Sequence, residues 1–440
     1  MNNSSWLTAA KIIGIIAVLL APQVFAPVAD AGPTDKICRK DSPDPDPANR
    51  IDSAPCGTYG EVVTRVADSG EDILIRYMVH RPANKAKAVV VLIAGGLLGT
   101  NITGNLATGQ VLTAGQNFLV RSAQLFAEDG YLALTIHRSV KLTPAPVAEF
   151  LTDDEDPNSV FQWDSYRISP KHAFDIVRAV AEVNTANLPI FLAGTSRGAI
   201  SVVAQHMLGN GILLSSPVAD MTPPFPVTAD CPPLPICVMY VNHPSVPRLQ
   251  PASVTVPAHV LAHQQDACTG TSPATSLALH NAFVAAGIDS RFDMVVGGFA
   301  APGESPCEAL HFHGFFGVEN AAVKQHTKRL DEILHNLEKQ FKKNGKPVAA
   351  PTAATCPAAC AVNLFPLTSD PNPGDSLTHS LPHARSYRAD PAAPPNLSLA
   401  GAVVTYTPPP GPRPMTDGFT YVVSDGKGGI SASYVIVTVP

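Results

Sequence analysis

Several signatures are missing from this chain, and each absence removes a class of function. No stripe of lysine and arginine interleaved with aromatic residues occurs, and the net charge is −6, so nothing marks a nucleic-acid partner. No cysteine–histidine group has zinc spacing. His311 and His313 stand close together, but no paired C-x-x-C accompanies them. No metal and no cofactor is therefore expected. Beyond the N-terminal leader, no apolar run is long enough to cross a bilayer.

What is present begins with an export signal. Lys11 precedes the apolar run Ile12–Leu20, and Ala29-Asp30-Ala31 has the small-x-small form of a cleavage site. Residues 1–31 are read as the signal peptide, with cleavage after Ala26 as the alternative. A secreted or periplasmic protein with no membrane span after cleavage follows. The 8 cysteines suit that compartment. They fall into sequence-local pairs: Cys38/Cys56, Cys231/Cys237, Cys268/Cys307 and Cys356/Cys360. Spacing alone leaves the connectivity open.

At 440 residues the chain exceeds one ordinary domain. Gly60–Val66 and Asp72–His80 alternate as two strands around a turn at Asp68-Ser69-Gly70. Ala88–Ile93 and Tyr131–Ile136 are continuous apolar runs, as in strands covered on both faces. Phe118 to Phe126 gives a helical face that Gly130 ends. Ser169-Pro170 is an N-cap followed by proline, opening a helix through Val183. Further strands are expected at Gly211–Ser215, Ala258–Ala262 and Arg291–Val296, and helices near Ala274–Ala286 and Val318–Lys342. Two strands followed by β-α alternation predict a mostly parallel sheet of eight strands with helices on both faces. The polar, acidic insert Lys141–Arg167 reads as a solvated loop. The proline-rich insert Pro217–Pro251 is placed to contribute to a lid.

The most informative stretch is Leu188–Leu208. Ile190–Ala193 suits a buried strand, and Ala199, Val202, Val203, His206 and Met207 have the spacing of a helix on a sheet. Between them lies Gly194-Thr195-Ser196-Arg197-Gly198, a G-x-S-x-G pentapeptide. A strand turning directly into a helix leaves its middle residue on a strained bend with an exposed hydroxyl. Ser196 is the candidate nucleophile. The N–H of Arg197, in the first helical turn, faces an oxyanion formed beside it.

A serine hydroxyl needs a base, and the base needs an orienting acid. Asp266 follows the strand Ala258–His263 on the same sheet edge as Ser196. His311 and His313 lie in a loop before the last helix. This order of Ser, Asp and His, with Gly95-Gly96 after the third strand, resembles the α/β-hydrolase family over residues 60–342. The resemblance implies Ser196 as nucleophile, Asp266 as acid and His313 as base. It further implies an oxyanion hole from Arg197 and the Gly95–Leu97 loop, with Gly96 the expected donor. His311 is the alternate base and Asp220 the alternate acid. Cys268 and Cys307 bracket the acid and base, so a bridge between them would tie the two loops together.

After Lys343 the composition changes. Asn344–Cys360 is rich in glycine, proline and alanine and reads as a linker. Residues 361–440 hold short β-like runs that fit a small sandwich. Thr416–Gly429 and Tyr434–Val439 resemble cadherin-like and Ig-like modules of secreted bacterial proteins. Asp417 and Asp425 read as structural turn aspartates rather than calcium ligands. The catalytic domain is then 32–343, and the module is expected to share only a small interface with it.

Taken together, these residues predict a secreted serine hydrolase acting on a small or polymeric carboxylic ester. A prolyl-oligopeptidase-like peptidase, a polyester depolymerase and a binding protein without chemistry are the alternatives. No propeller-sized N-terminal region is present for the first of these.

Overall fold

A computed structural model describes residues 57–66, 70–96, 100–141, 166–218, 251–341, 345–372, 374–390 and 393–440. The signal peptide, the Cys38/Cys56 and Cys231/Cys237 pairs, and most of both inserts lie outside the described residues.

The chain is organised on one large sheet. Its strands are β1 (Thr58–Val66), β2 (Asp72–His80), β3 (Val89–Ile93), β4 (Thr103–Asn105), β5 (Gln110–Thr113), β6 (Leu132–Lys141), β7 (Ile190–Thr195), β8 (Ile212–Ser215), β9 (Ala258–His263) and β10 (Ser290–Val295). The order across the sheet is β10-β9-β8-β7-β3-β6-β2-β1-β5-β4. From β6 to β10 every pairing is parallel, while β1, β2 and the β2–β6 pair are antiparallel. Eight of these strands follow the order of the α/β-hydrolase fold. The hairpin β4–β5 extends the sheet to ten and was not expected from the sequence. Of the residues in β5 only Val111 is buried, so the hairpin has no apolar alternation to reveal it.

Alternation along β3 explains the two core layers. Val89, Val91 and Ile93 face one way, and Val90 and Leu92 the other. On the second face lie α1 (Phe118–Arg121), α2 (Ala123–Glu128) and, at the end of the domain, the long helix α6 (Glu319–Phe341), contributing Phe118, Phe126, Leu330 and Ile333. On the first face lie α3 (Pro170–Val183), α4 (Gly198–Ala204) and α5 (Pro273–Ala285), contributing Ile176, Val202 and Phe283. Ser169 caps α3 by accepting from His172 N, with proline at the first turn, as its sequence dictates. Among the described residues no helix is long and apolar enough to cross a membrane.

The C-terminal region is an all-β module that starts earlier than expected. Its strands are β11 (Val348–Ala349), β12 (Thr352–Thr355), β13 (Cys360–Asn363), β14 (Thr368–Ser369), β15 (Thr378–Ser380), β16 (Leu397–Ala400), β17 (Val403–Tyr406), β18 (Met415–Ser424) and β19 (Ile430–Val439). Asn344–Cys360 is thus not a linker. Within it, β12 pairs in parallel with β19 over Thr352–Thr355, and Cys356 is bonded to Cys360 where the chain passes from one sheet to the other. The short Ala/Thr strand is hidden by its low hydrophobicity. Asp417 accepts from Tyr406 Oη (2.8 Å), Gly418 N (2.7 Å) and Arg388 N (3.1 Å), and Asp425 from Lys427 N (2.7 Å) and Gly429 N (2.9 Å). Both carboxylates hold the backbone around them through these bonds.

The expected small interface is also corrected. Phe174 of α3 meets the rings of Tyr387 and Tyr434 at 5.1 and 5.6 Å. Tyr387, Val422 and Tyr434 belong to the same buried cluster as the hydrolase sheet. Arg178 lies over the Tyr434 ring at 4.8 Å, and Arg388 Nη2 donates to Val66 O at 2.8 Å. Lys346 Nζ donates to Leu188 O at 3.0 Å. The module completes the core of the first domain.

Candidate active site

The elbow follows from close backbone approach. A side chain at Gly194 would overlap the Gly198 carbonyl, and one at Gly198 would overlap the Ile93 carbonyl on the neighbouring strand. With both sites empty of Cβ, β7 runs into α4 through Ser196, which takes a left-handed φ of 55°. That conformation is strained for serine and is held by its surroundings. Ser196 N donates to Ser215 O (2.9 Å), while Ser196 O accepts from Ala199 N and Val218 N (both 3.1 Å). Gly95 approaches from the adjacent loop: a Cβ there would sit 2.8 Å from both Ser196 Cβ and Thr195 O. The structure thereby brings the glycine pair and Ser196 together. Gly96 is exposed with a φ of 56°, and Arg197 is helical at the N-cap of α4.

Asp266 sits just beyond β9, its side chain fully enclosed. Its Oδ1 accepts from Cys268 N at 2.9 Å. Its Oδ2 lies 3.1 Å from Nδ1 of His313 and 3.0 Å from the Thr271 hydroxyl. The same hydroxyl is 2.9 Å from His313 Nδ1. The charges settle the donors. Thr271 O–H donates to Asp266, and the Nδ1–H of His313 is shared by Asp266 and Thr271. Nε2 of His313 is then the ring nitrogen left to accept a proton. Thr271 carried no signal in the sequence, because nothing marks a loop threonine that folds back five residues.

His313 lies in a single turn of 3-10 helix, Phe312–Gly314, closed by Phe315 at a φ of 58°. Arg121 of α1 holds this loop through Gly314 O and through Glu319 at 2.8 Å. His263, at the end of β9, stacks on Phe312 at 5.0 Å, and its Nε2 donates to Gly297 O at 2.8 Å. The bond between Cys268 and Cys307 joins the two loops directly, with Cα atoms 4.7 Å apart. His311 is placed differently. Its Nδ1 is buried with no hydrogen-bond partner, and burial pushes its pKa down. Asp220 lies outside the described residues.

Behind the elbow runs a buried polar chain. Ser215 Oγ lies 2.7 Å from His326 Nε2, His326 Nδ1 2.9 Å from His259 Nδ1, and His259 Nε2 3.1 Å from Asp293 Oδ2. Burial pushes both imidazoles down, so they are neutral. The protons then run one way, from Ser215 toward the Asp293 carboxylate. Arg167, fully buried at the end of the first insert, also faces the site: its guanidinium donates to Gly96 O (2.9 Å) and Ala94 O (3.2 Å). The sequence placed Arg167 only in a solvated loop, and that reading fails for this residue.

Comparison with known proteins gives three kinds of result. Residues 344–438 match the family described as Bacterial Ig domain. No curated protein sequence matches the chain. Solved structures with a similar fold include a thermophilic esterase from Thermogutta terrifontis, with 15% identity and a TM-score of 0.39 over 64% of this chain and 94% of that one. A carboxylesterase from Lactobacillus plantarum has 15% identity and a TM-score of 0.40 over 63% of this chain and 98% of that one. An acylaminoacyl peptidase from Pyrococcus horikoshii has 12% identity and a TM-score of 0.38 over 63% of this chain and 42% of that one. At these identities and scores the chemistry rests on the residues themselves.

Proposed function

We propose that the protein is an exported serine hydrolase that cleaves carboxylic esters through an acyl-enzyme. The observation that carries this reading is the 3.1 Å pairing of His313 Nδ1 with the enclosed carboxylate of Asp266, on the sheet edge where Ser196 stands in its strained elbow. An imidazole oriented through Nδ1 presents a basic Nε2. In the reaction, His313 Nε2 takes the Ser196 proton as Oγ attacks the acyl carbon. The oxyanion rests on the N–H groups of Arg197 and Gly96. His313 then gives its proton to the leaving alkoxide, and a water molecule activated by the same nitrogen releases the acid. Asp266 keeps the imidazolium stable without taking the proton. The two bonded cysteine pairs of the described residues fit an oxidising compartment, in keeping with the export signal.

A fluorophosphonate probe tests the assignment. Labelling is expected at Ser196 by peptide mass spectrometry and is expected to vanish in His313→Ala. Ser196→Ala is expected to lose on the order of a millionfold in kcat on a short-chain aryl ester while its melting temperature stays near that of the parent. Labelling at another serine, or a tenth of the activity retained in Ser196→Ala, would overturn the reading. A panel of esters, amides and a solid polyester then defines the acyl-donor class.

A further inference from the structure

A chain of hydrogen bonds links the β-module to the loop proposed to hold the oxyanion. It starts at His383, between β15 and β16. Nε2 of His383 lies 2.9 Å from Oε1 of Gln205, the C-cap of α4. The orientation of the Gln205 amide is fixed by its other end. Its Nε2 donates to Arg167 O at 3.1 Å and Ser169 O at 3.2 Å, so Oε1 faces His383 and must accept. His383 therefore carries its proton on Nε2. Burial keeps the ring neutral, with a pKa pushed down to about 4. Gln205 is fully buried, so its amide bonds only within the protein.

Arg167 is the next member. Its backbone carbonyl is held by Gln205, and its side chain spans both halves of the proposed catalytic machinery. Nη1 donates to Ser201 Oγ of α4 at 3.1 Å, and Nη2 to Ala94 O at 3.2 Å and Gly96 O at 2.9 Å. The carbonyls of residues 94 and 96 belong to the peptide planes on either side of the plane that carries the Gly96 N–H. Holding both of them fixes the direction of the N–H between them. Gly96 has open space where a Cβ would stand and a left-handed φ, so nothing in its own side chain would set that direction. A guanidinium supplies the fixed fork that two carbonyls and a hydroxyl require.

We infer that His383, Gln205 and Arg167 are positioning residues for the hydrolysis, so that the β-module is part of the catalytic apparatus and sets the aim of the Gly96 N–H. The inference rests on the serine-hydrolase reading above. Removing an oxyanion donor outright costs about a hundred- to thousandfold in kcat. Loosening its support by one hydrogen bond is expected to cost roughly tenfold. The loss should fall on kcat and spare KM, because the donor acts mainly on the charged transition state.

The test uses the full chain and a soluble aryl ester. His383→Ala is expected to lower kcat about tenfold with KM within twofold. His383→Gln, whose amide N–H can still donate to Gln205, is expected to restore kcat to within about twofold. Tyr434→Phe removes the hydroxyl that accepts from Arg178 Nη1 elsewhere in the same domain interface, and it should lower the melting temperature while leaving kcat unchanged. The rate of labelling of Ser196 by the fluorophosphonate should fall in step with kcat. A folded His383→Ala protein with parental kcat overturns the inference, as does Tyr434→Phe losing as much kcat as His383→Ala. If His383→Ala does not fold, Arg167→Lys decides. It keeps the charge but not the fork, and parental kcat in that variant overturns the inference equally. A parent chain that the probe does not label at Ser196 removes the hydrolase reading and this inference together. A labelled parent with an unaffected His383→Ala removes this inference alone.

Discussion

The ring of Phe174, on a helix that covers the large sheet, meets Tyr434 of the last strand edge-on at 5.6 Å. Phe174 is 1% exposed, and the two aromatic rings packed on it, Tyr387 and Tyr434, both come from the β-module. Burying one such side chain contributes about 1.5–3 kcal/mol, and the whole stability of a domain is about 5–15 kcal/mol. A chain ended before Gly345 is therefore expected to aggregate or to bind the dye ANS as a loosened globule, and not to hydrolyse a soluble ester at the parental rate. Size-exclusion chromatography and far-UV circular dichroism check this. A monomeric, fully active product would restore the independent module that the proline- and alanine-rich sequence suggested.

Thr271→Val keeps the shape and removes the hydroxyl that bonds both Asp266 and His313 Nδ1. Loss of about 1 kcal/mol of orientation predicts a five- to tenfold drop in kcat. Asp266→Asn is expected to cost about ten-thousandfold, as an acid that fixes its partner's tautomer does. Steady-state kinetics on one aryl ester compare the two directly. A Thr271→Val protein with parental kcat would show that Asp266 alone suffices to orient the ring.

Reduction of Cys268–Cys307 should impair activity before it unfolds the sheet. The bond closes a loop of 39 residues, a constraint worth roughly 4 kcal/mol on the loop-entropy account; that loop starts with the Cys268–Thr271 segment bonded to Asp266 and ends six residues before His313. A graded dithiothreitol titration followed in parallel by activity and by tryptophan-independent circular dichroism separates the two effects. Coincident transitions would show that the bond supports the domain as a whole.

Acid should weaken the protein through its buried histidines. His383 has a folded pKa of about 4 against an ordinary 6.5, and burial also holds His172 well below its usual range, with Arg167 and His383 adding to the shift. As the pH falls through 6.5, the unfolded chain takes up protons that the folded chain refuses, so stability falls. For His383 the loss ends near pH 4 and amounts to at most about 3 kcal/mol. Urea midpoints at pH 7 and pH 4.5 should differ more in the parent than in His383→Gln. Equal differences would exclude His383 as a contributor.

The elbow was legible because its chemistry is local. Two glycines at fixed offsets from a serine, between a strand pattern and a helix pattern, admit few conformations, and central strands such as β3 announce themselves as unbroken apolar runs. Asp266 was proposed from its place just past a strand end and His313 from the family resemblance, in the loop before the last helix, and the structure brings the two side chains into contact. Thr271 and Arg167 were not, because their partners are set by the tertiary fold and neither lies in a periodic pattern. The β4–β5 hairpin and β12 were missed for the opposite reason: they are short and poorly apolar, and pairing with neighbours rather than intrinsic preference makes them strands. Asn344–Cys360 shows how composition misleads when a strand of alanine and threonine is read as spacer.

The joint between α3 and the last strand also constrains the order of assembly. Arg178 and Tyr434 are separated by 256 residues, and such distant pairings close late. A chain emerging N-terminus first carries Ser196 and its whole parallel sheet for many seconds, at about 5–20 residues per second of synthesis, before Tyr434 exists to cover Phe174. During that interval an apolar helix face is open to chaperones, and the support that reaches Gly96 from His383 is absent. If the proposed roles of His383 and Gly96 hold, completion of the C-terminal module is a maturation step written into the topology. On the proposed mechanism, a nascent chain has Ser196 in place but gains the full support of the Gly96 N–H only when its last strand docks.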